Sequence, residues 1–282
     1  MSVRRLCALV SVLDTHTLTV EWDGQPRQLR LMDVVPDSAL SDGTQPPSEL
    51  GRRALTWAKH RVFNEIREVV VELPETVQDL SNSGKLLAYV HVRDELFNVL
   101  LVREGWSPCF EKYGHPRIHR ARMERAEFWA RRDGRGIWGQ PAIAALYERL
   151  KAHWLLRAGQ VEGYRRLADL GEDILSARLD YPDILERARA GVSAVLFADV
   201  TRTFLVSDGS VLFQLGNPHQ PLCALFPESM RSWASFLERG HVGAGKPNYL
   251  YFEGPLSIAA DQPQITIESP DQIGSFPSRH ER

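Results

Sequence analysis

The sequence has few cysteines, no long apolar run and almost no net charge, and each shortage excludes a class of protein. Its three cysteines, Cys7, Cys109 and Cys223, lie far apart, so they predict neither a disulfide framework nor a zinc site with paired cysteines. No apolar run approaches the ~20 residues that span a membrane. The formal charge is -2, from 34 basic and 36 acidic residues, so any preference for nucleic acid must be local. We expect a cytoplasmic protein with no membrane partner.

The composition is that of an ordinary globular protein. Hydrophobic residues make up 43% of the 282 residues and charged residues 25%, which excludes a disordered or collagen-like chain. At about 100–200 residues per domain, this length predicts two domains, each able to bury its own core.

The first half of the chain alternates in the manner of strands and then turns helical. Period-two apolar segments predict strands over 6–13, 17–22, 28–32, 69–73 and 86–92. Asp23-Gly24 predicts a tight hairpin, and Ser48 is placed to cap a helix that runs to residue 63. Five strands in this order predict an OB-type barrel.

The second half repeats the pattern after a helical stretch. We predict a helical connector over residues 140–190, then strands over 194–200, 203–206 and 211–215, a helix over 229–239, and strands over 249–253 and 264–268. Three strands, a helix and two strands are a second OB order. The predicted fold class is α+β, mostly β: two five-stranded barrels joined by a helical connector. The predicted divisions are 1–139, 140–190, 191–273 and a tail over 274–282.

An ordered set of short motifs in residues 5–138 resembles the staphylococcal nuclease, or thermonuclease-like, family. The set comprises Val12–Leu18, Gly24–Pro26 with Leu29–Leu31, Pro36-Asp37, Gly84–Val90, Asn98 with Gly105-Trp106, Tyr113-Gly114 and Gly136–Trp138. The resemblance implies a barrel that cleaves phosphodiesters of DNA and RNA with calcium. In that family, two aspartates hold the ion, a carboxylate orients water, and two arginines neutralise the transition state, as phosphodiester chemistry requires.

The implied active site is only partly present in this sequence. The first family arginine falls on Arg30, but the second falls on Lys85, which keeps the charge and loses the two-pronged grip. The metal aspartates fall on His16 and Val34, and Asp37 replaces the glutamate that orients water. Four departures in one site predict no nuclease activity of the family type. The degenerate catalytic positions are thus Arg30, Asp37 and Lys85.

A different metal site remains an alternative at the same place. His16 with Asp14 and Asp33 offers nitrogen and oxygen ligands, which suit a transition metal better than calcium. Against this, His16 reads as an exposed hairpin histidine and Asp33 as a turn residue. Arg30 and Asp37 have a similar alternative, a simple ion pair. We therefore assign no cofactor, with a divalent metal ion as the alternative.

A segment of seven arginines, residues 117–135, carries a net charge of +4. Arginine binds phosphate and stacks on bases, so this arginine segment predicts a nucleic-acid contact through Arg117, Arg120 and Arg125. A solvated helix face with internal ion pairs fits equally well. Tyr113 lies beside the segment, where the family resemblance implies a ring that lines the nucleotide pocket.

The second barrel resembles the OB-type modules that accompany enzymes of DNA metabolism. The resemblance lies in residues 249–255 and 263–273, and Tyr249 and Tyr251 are its candidates for base stacking. Residues 191–273 hold only four basic residues and more acidic ones, so a protein-contact role fits as well.

Together these features predict a nucleic-acid-binding protein of DNA metabolism or repair, with single-stranded DNA favoured. Two alternatives stay open: an active nuclease that uses an atypical metal, and a scaffold that binds a protein partner or forms a homo-oligomer.

Overall fold

The computed structural model describes residues 2–35, 48–74, 85–112, 114–216, 220–242, 246 and 248–277. The chain divides into two compact units, Met1–Ala152 and His153–Arg282. The division falls inside one long helix, and each unit has its own barrel.

In the described residues of the first unit, six strands and three helices precede the long helix. They are β1 (Val3–Val12), β2 (Thr17–Trp22), β3 (Gln25–Leu31), α1 (Glu49–Trp57) with a π-helical turn (Ala58–Val62), β4 (Glu68–Leu73), β5 (Leu86–Val92), β6 (Glu95–Leu96), α2 (Phe97–Arg103) and α3 (Arg120–Arg132). A 3-10 turn (Gly136–Gly139) and the long helix α4 (Pro141–Asp169) follow.

Strand pairing closes the first sheet into a five-stranded barrel. The order is β3-β2-β1-β4-β5, and β3 pairs in parallel with β5 to complete the circle. Strand β1 serves both sides of the barrel: its first half pairs with β4, its second half with β2, and an irregularity lies between Leu9 and Ser11. Alternate residues face inward, so Leu29 and Leu31 are buried while Arg30 between them is not.

Two local predictions are confirmed. Asp23 and Gly24 adopt φ values of 51° and 73°, the left-handed pair that a type I′ hairpin turn requires. Ser48 caps α1, because its hydroxyl accepts the backbone N–H of Gly51 at 3.1 Å.

The backbone at the end of α2 lies directly against the backbone of the segment after α3. A Cβ on Gly105 would lie 2.2 Å from the carbonyl oxygen of Arg135, so this position requires glycine.

The second unit builds the same barrel again. Its elements are β7 (Ile174–Ser176), α5 (Tyr181–Ala190), β8 (Ser193–Leu205), β9 (Val211–Leu215), β10 (Leu222–Phe226), α6 (Arg231–His241), β11 (Tyr249–Ala259), β12 (Gln262–Thr266) and β13 (Ile273–Gly274). The barrel runs β8-β9-β10-β12-β11, with β10 parallel to β12 and β11 closing onto β8. The predicted fold class, α+β with two five-stranded barrels, is confirmed.

The strand count of the second barrel was predicted correctly, but one strand was misplaced. Residues 194–200 and 203–206 are predicted as two strands, whereas the structure joins them in the single strand β8. A shift in register between Val200 and Arg202 bends β8, so that it pairs with β11 before the bend and β9 after it. The missing strand is β10, and its alternation of buried and half-buried residues is the pattern that the prediction passed over.

Candidate functional site

Strand pairing brings His16, Arg30 and Lys85, three cationic or ionisable residues, to one end of the first barrel. His16 directly precedes β2, and its carbonyl accepts the backbone N–H of Leu31 at 2.8 Å. Arg30 of β3 pairs with Thr17 of β2 on one side and with Leu87 of β5 on the other. Lys85 is the residue directly before β5. Burial is the main cause of the lowered pKa of His16, and the charges of Arg30 and Lys85 act in the same direction. We call this group the cation cluster.

His16 is buried and held by Asp14. One oxygen of Asp14 accepts the backbone N–H of His16 at 2.8 Å and also lies 2.6 Å from Nδ1 of its ring. Burial lowers the pKa of His16, and the attraction of Asp14 opposes that effect only in part. Burial acts to raise the pKa of Asp14, but the contacts with His16 outweigh it and hold that pKa low. At neutral pH the imidazole is therefore neutral and the carboxylate ionised.

Arg30 keeps its guanidinium available at the partly buried surface. Among the described residues, no carboxylate forms an ion pair with Arg30. Asp37, its predicted partner and the predicted water-orienting residue, lies outside the described residues. The site thus brings together Asp14, His16, Arg30 and Lys85 of the predicted set.

Asp33 does not join the metal set that the sequence suggests. Its backbone is in the left-handed region, at φ 57°, and its carboxylate accepts a hydrogen bond from the Tyr89 hydroxyl. Asp14, His16 and Asp33 do not place three ligand atoms within 4.8 Å of one another, although all three are described. Val34, which stands where the family resemblance implies a metal aspartate, is buried in the barrel core. The predicted site of Asp14, His16 and Asp33 is therefore not assembled.

The arginine segment presents a mixed surface. Arg117, Arg120 and Arg125 are exposed, and Arg120 pairs with Glu124 at 2.8 Å. Arg117 and Arg125 have no ion pair with any carboxylate in the described parts of the chain. Tyr113, predicted to lie beside them, is outside the described residues.

Two exposed aromatic residues on the same helix were not among the predicted site residues. Phe128 and Trp129 are 59% and 40% exposed, and their rings meet edge to face with centroids 5.2 Å apart. The guanidinium of Arg132 lies 3.8 Å from the centroid of the Trp129 ring, within range of a cation–π interaction. The helical spacing could have found them, because Met123, Ala126 and Ala130 already account for the buried face of α3.

The aromatic candidates of the second barrel lie in a buried stack. Phe197 stacks between Tyr164 and Tyr249, with centroids 4.6 and 4.9 Å away and interplanar angles of 1° and 7°. Tyr251 contacts Phe197 at 5.0 Å. Tyr249 and Tyr251 are 3% and 5% exposed, so neither offers a free ring face to a base.

A second cluster that the sequence did not reveal lies inside the first unit. Glu72 of β4, His91 of β5 and His119 at the start of α3 bring three ligand atoms within 4.8 Å. The three come from separate elements 19 to 47 residues apart, so no local spacing signals them; a carboxylate inside the apolar run of β4 is the one hint. No helix in the described parts of the chain is long and apolar enough to cross a membrane.

Comparison with known proteins matches the first unit to one family. Residues 28–140 match the family described as staphylococcal nuclease homologue. The thermonuclease of Staphylococcus hyicus is 28% identical over 131 residues, covering 46% of this chain and 73% of the relative. The thermonuclease of Staphylococcus intermedius is 30% identical over 132 residues, covering 45% of this chain and 72% of the relative. The chain therefore belongs, through its first barrel, to the family of staphylococcal nuclease homologues.

Proposed function

We propose that this protein binds nucleic acid through the first barrel and does not cleave it efficiently. The observation that carries the proposal is the cation cluster, in which strand pairing brings Arg30 and the start of β5, next to Lys85, close to His16. His16 stands where the family resemblance implies a metal-binding carboxylate. The relatives are named thermonucleases, which supports a function related to nucleic acid. A role in DNA metabolism or repair and a cytoplasmic location stay predictions.

The charge balance of the cluster favours an anion. The cluster brings two basic side chains, Arg30 and Lys85, near a His16 whose pKa is lowered chiefly by burial. A phosphate near Arg30 gains charge-assisted hydrogen bonds. Among the described residues, no carboxylate forms an ion pair with Arg30 that phosphate binding would have to break. Phosphate contacts of this kind supply most of the affinity of proteins for nucleic acid.

The aromatic residues of α3 favour a single strand over a duplex. Bases of a single strand can stack on exposed rings, whereas those of a duplex already stack on each other. Phe128 and Trp129 are exposed beside Arg125 and Arg132 of the same helix. This surface thus combines the cations and the ring faces that single-strand binding uses.

The geometry gives less support to the alternative of an active nuclease. Calcium takes several oxygen ligands, but Val34 has none and the carboxylate of Asp33 is hydrogen-bonded to Tyr89. Losing one preorganised electrostatic element typically costs about 10²–10³ in rate. We therefore do not propose cleavage as the activity, and a cleavage assay tests for it.

Fluorescence anisotropy with a labelled single-stranded oligonucleotide at several salt concentrations tests the proposal. We expect salt-dependent binding that weakens about tenfold in Arg30→Ala and in Lys85→Ala, or about 1.4 kcal/mol for each lost charged contact. Arg27→Ala is the matched control, because Arg27 is an exposed arginine on the same strand β3. Absence of salt-dependent binding at micromolar protein contradicts the proposal, as does equal weakening in the control.

Incubation of circular single-stranded DNA with a panel of divalent ions tests the nuclease alternative. We expect intact circles with every ion. Metal-dependent nicking that Arg30→Ala and His16→Ala abolish would replace the binding proposal with an enzymatic one.

A further inference from the structure

The buried cluster of Glu72, His91 and His119 has the donor set of a transition-metal site. One oxygen of Glu72, Oε2, lies 2.7 Å from Nε2 of His91 and 2.9 Å from Nε2 of His119. Glu72 is fully buried, and the side chains of His91 and His119 are 14% and 8% exposed. All three ligand atoms therefore converge on one small, shielded volume.

Neighbouring groups fix the orientation of these ligands. The second oxygen of Glu72 accepts from the Ser2 hydroxyl at 2.7 Å and pairs with Nε of Arg4 at 3.1 Å, which directs Oε2 toward the histidines. The ring of Tyr89 meets that of His119 edge to face, with centroids 4.8 Å apart. Metal sites in proteins characteristically have such an outer layer of hydrogen-bonded and packed groups.

We propose that Glu72, His91 and His119 bind one divalent transition-metal ion of the zinc class. Two imidazole nitrogens and one carboxylate oxygen are ligands that Zn²⁺ prefers, and the set lacks the many oxygens that Ca²⁺ needs. Ligand atoms about 2.0–2.2 Å from the ion lie somewhat farther apart than the present hydrogen-bonded distances, so each ring withdraws slightly. To bind the ion through Nε2, each imidazole carries its ring proton on Nδ1.

The ion would join three elements that the sequence keeps apart. Glu72 lies on β4, His91 on β5, and His119 is the residue directly before α3. A bound ion would thus fix the start of the arginine segment on the barrel. This role is structural, and it is independent of whether the cation cluster binds nucleic acid.

Metal titration of the full-length protein tests the site. After removal of metal with a chelator, we expect the chain to bind one equivalent of Zn²⁺, to rise in melting temperature, and to give the visible absorption of tetrahedral cobalt with Co²⁺. His91→Gln and His119→Gln should each weaken Zn²⁺ binding more than about a hundredfold, because even outer-layer changes cost 10–100-fold. His60→Gln, an exposed histidine elsewhere in the first unit, should leave it unchanged.

Further variants separate this site from others and from misfolding. His16→Gln should still bind one equivalent of Zn²⁺. Loss of Zn²⁺ binding in this variant would place the ion at the cation cluster and overturn the proposal. Circular dichroism and melting of each metal-free variant establish that it folds. Absence of stoichiometric binding in the wild type, or binding that survives in folded His91→Gln and His119→Gln, also overturns it.

Discussion

The two barrels share one strand order but use their polar and aromatic side chains in opposite ways. In the first barrel, His16, Arg30 and Lys85 gather at one end, where Arg30 and Lys85 are only partly buried. In the second unit, the aromatic rings of Tyr164, Phe197 and Tyr249 instead form a buried stack. The same fold thus carries a candidate binding surface in one copy and an extended core in the other.

This contrast separates fold from function. Barrel closure depends on inward-facing apolar residues, such as Leu29 and Leu31 in the first unit and Phe213 and Leu215 in the second. Function depends on the residues between them, which the barrel leaves free to vary. The family resemblance therefore fixes the expected position of a site in the first barrel, and the side chains at that position decide its chemistry.

The largest expected effect distinguishes the buried aromatic residues of the second barrel from the exposed aromatic pair on α3. Tyr251→Ala should destabilise the protein by about 3–5 kcal/mol, because it removes a large buried ring, and should leave oligonucleotide binding unchanged at temperatures where the variant is folded. Burial raises the pKa of Tyr251 to about 12, consistent with a ring held away from water. Chemical denaturation and anisotropy measure the two quantities.

Phe204→Ala provides the control for that variant. Phe204 lies on β8 of the same barrel and is 47% exposed, so its loss should cost little stability. A Tyr251→Ala variant that keeps full stability but loses affinity would show that its ring serves binding after all.

The next effect concerns the cation cluster as a unit. Combining Arg30→Ala with Lys85→Ala should weaken single-strand binding about a hundredfold, and the dependence of log affinity on log salt should become shallower by about two phosphate contacts. The measurement is anisotropy over a salt series, with Arg27→Ala as before. An unchanged salt dependence would place the phosphate contacts elsewhere.

A smaller effect is expected at the exposed aromatic pair. Trp129→Ala should cost about 1–3 kcal/mol in binding a single strand, the range for one stacked base, and should leave any binding to duplex unchanged. Phe236→Ala is the control, because Phe236 is 55% exposed on α6 of the second unit. Equal losses for single strand and duplex would make Trp129 a support for Arg132 rather than a stacking ring.

The fold was largely predictable because its signals are local. Alternation in β2 and β3, the Asp23-Gly24 turn and the Ser48 cap each act over a few residues. The prediction failed where a strand bends: Thr201 and Arg202 interrupt the apolar run of β8, yet the strand continues through the irregularity.

The site was predictable only in part because it depends on contacts between distant residues. The family resemblance identified Arg30 and Lys85, and strand pairing does bring their segments together. No pattern indicated that Asp33 would meet Tyr89 rather than His16, since Tyr89 lies 56 residues away in sequence and Asp33 itself adopts a left-handed backbone conformation. The grouping of Glu72, His91 and His119 depends likewise on tertiary packing.

The smallest effect, and the one that connects stability to binding in the first barrel, comes from the titration of His16. Its pKa in the folded protein lies below the ordinary value of about 6.5, chiefly because of burial, so below that pH the unfolded chain binds more protons. The stabilisation is therefore fully present above about pH 6.5 and is lost as the pH falls through the folded pKa. Thermal melting of wild type and His16→Gln should show a stability difference that shrinks on acidification.

Protonation of His16 would also add a third positive charge beside Arg30 and Lys85, so oligonucleotide affinity should rise over the same pH range in the wild type but not in His16→Gln. If stability and affinity instead fall together in both proteins, His16 is not the titrating group and the cation cluster does not control binding.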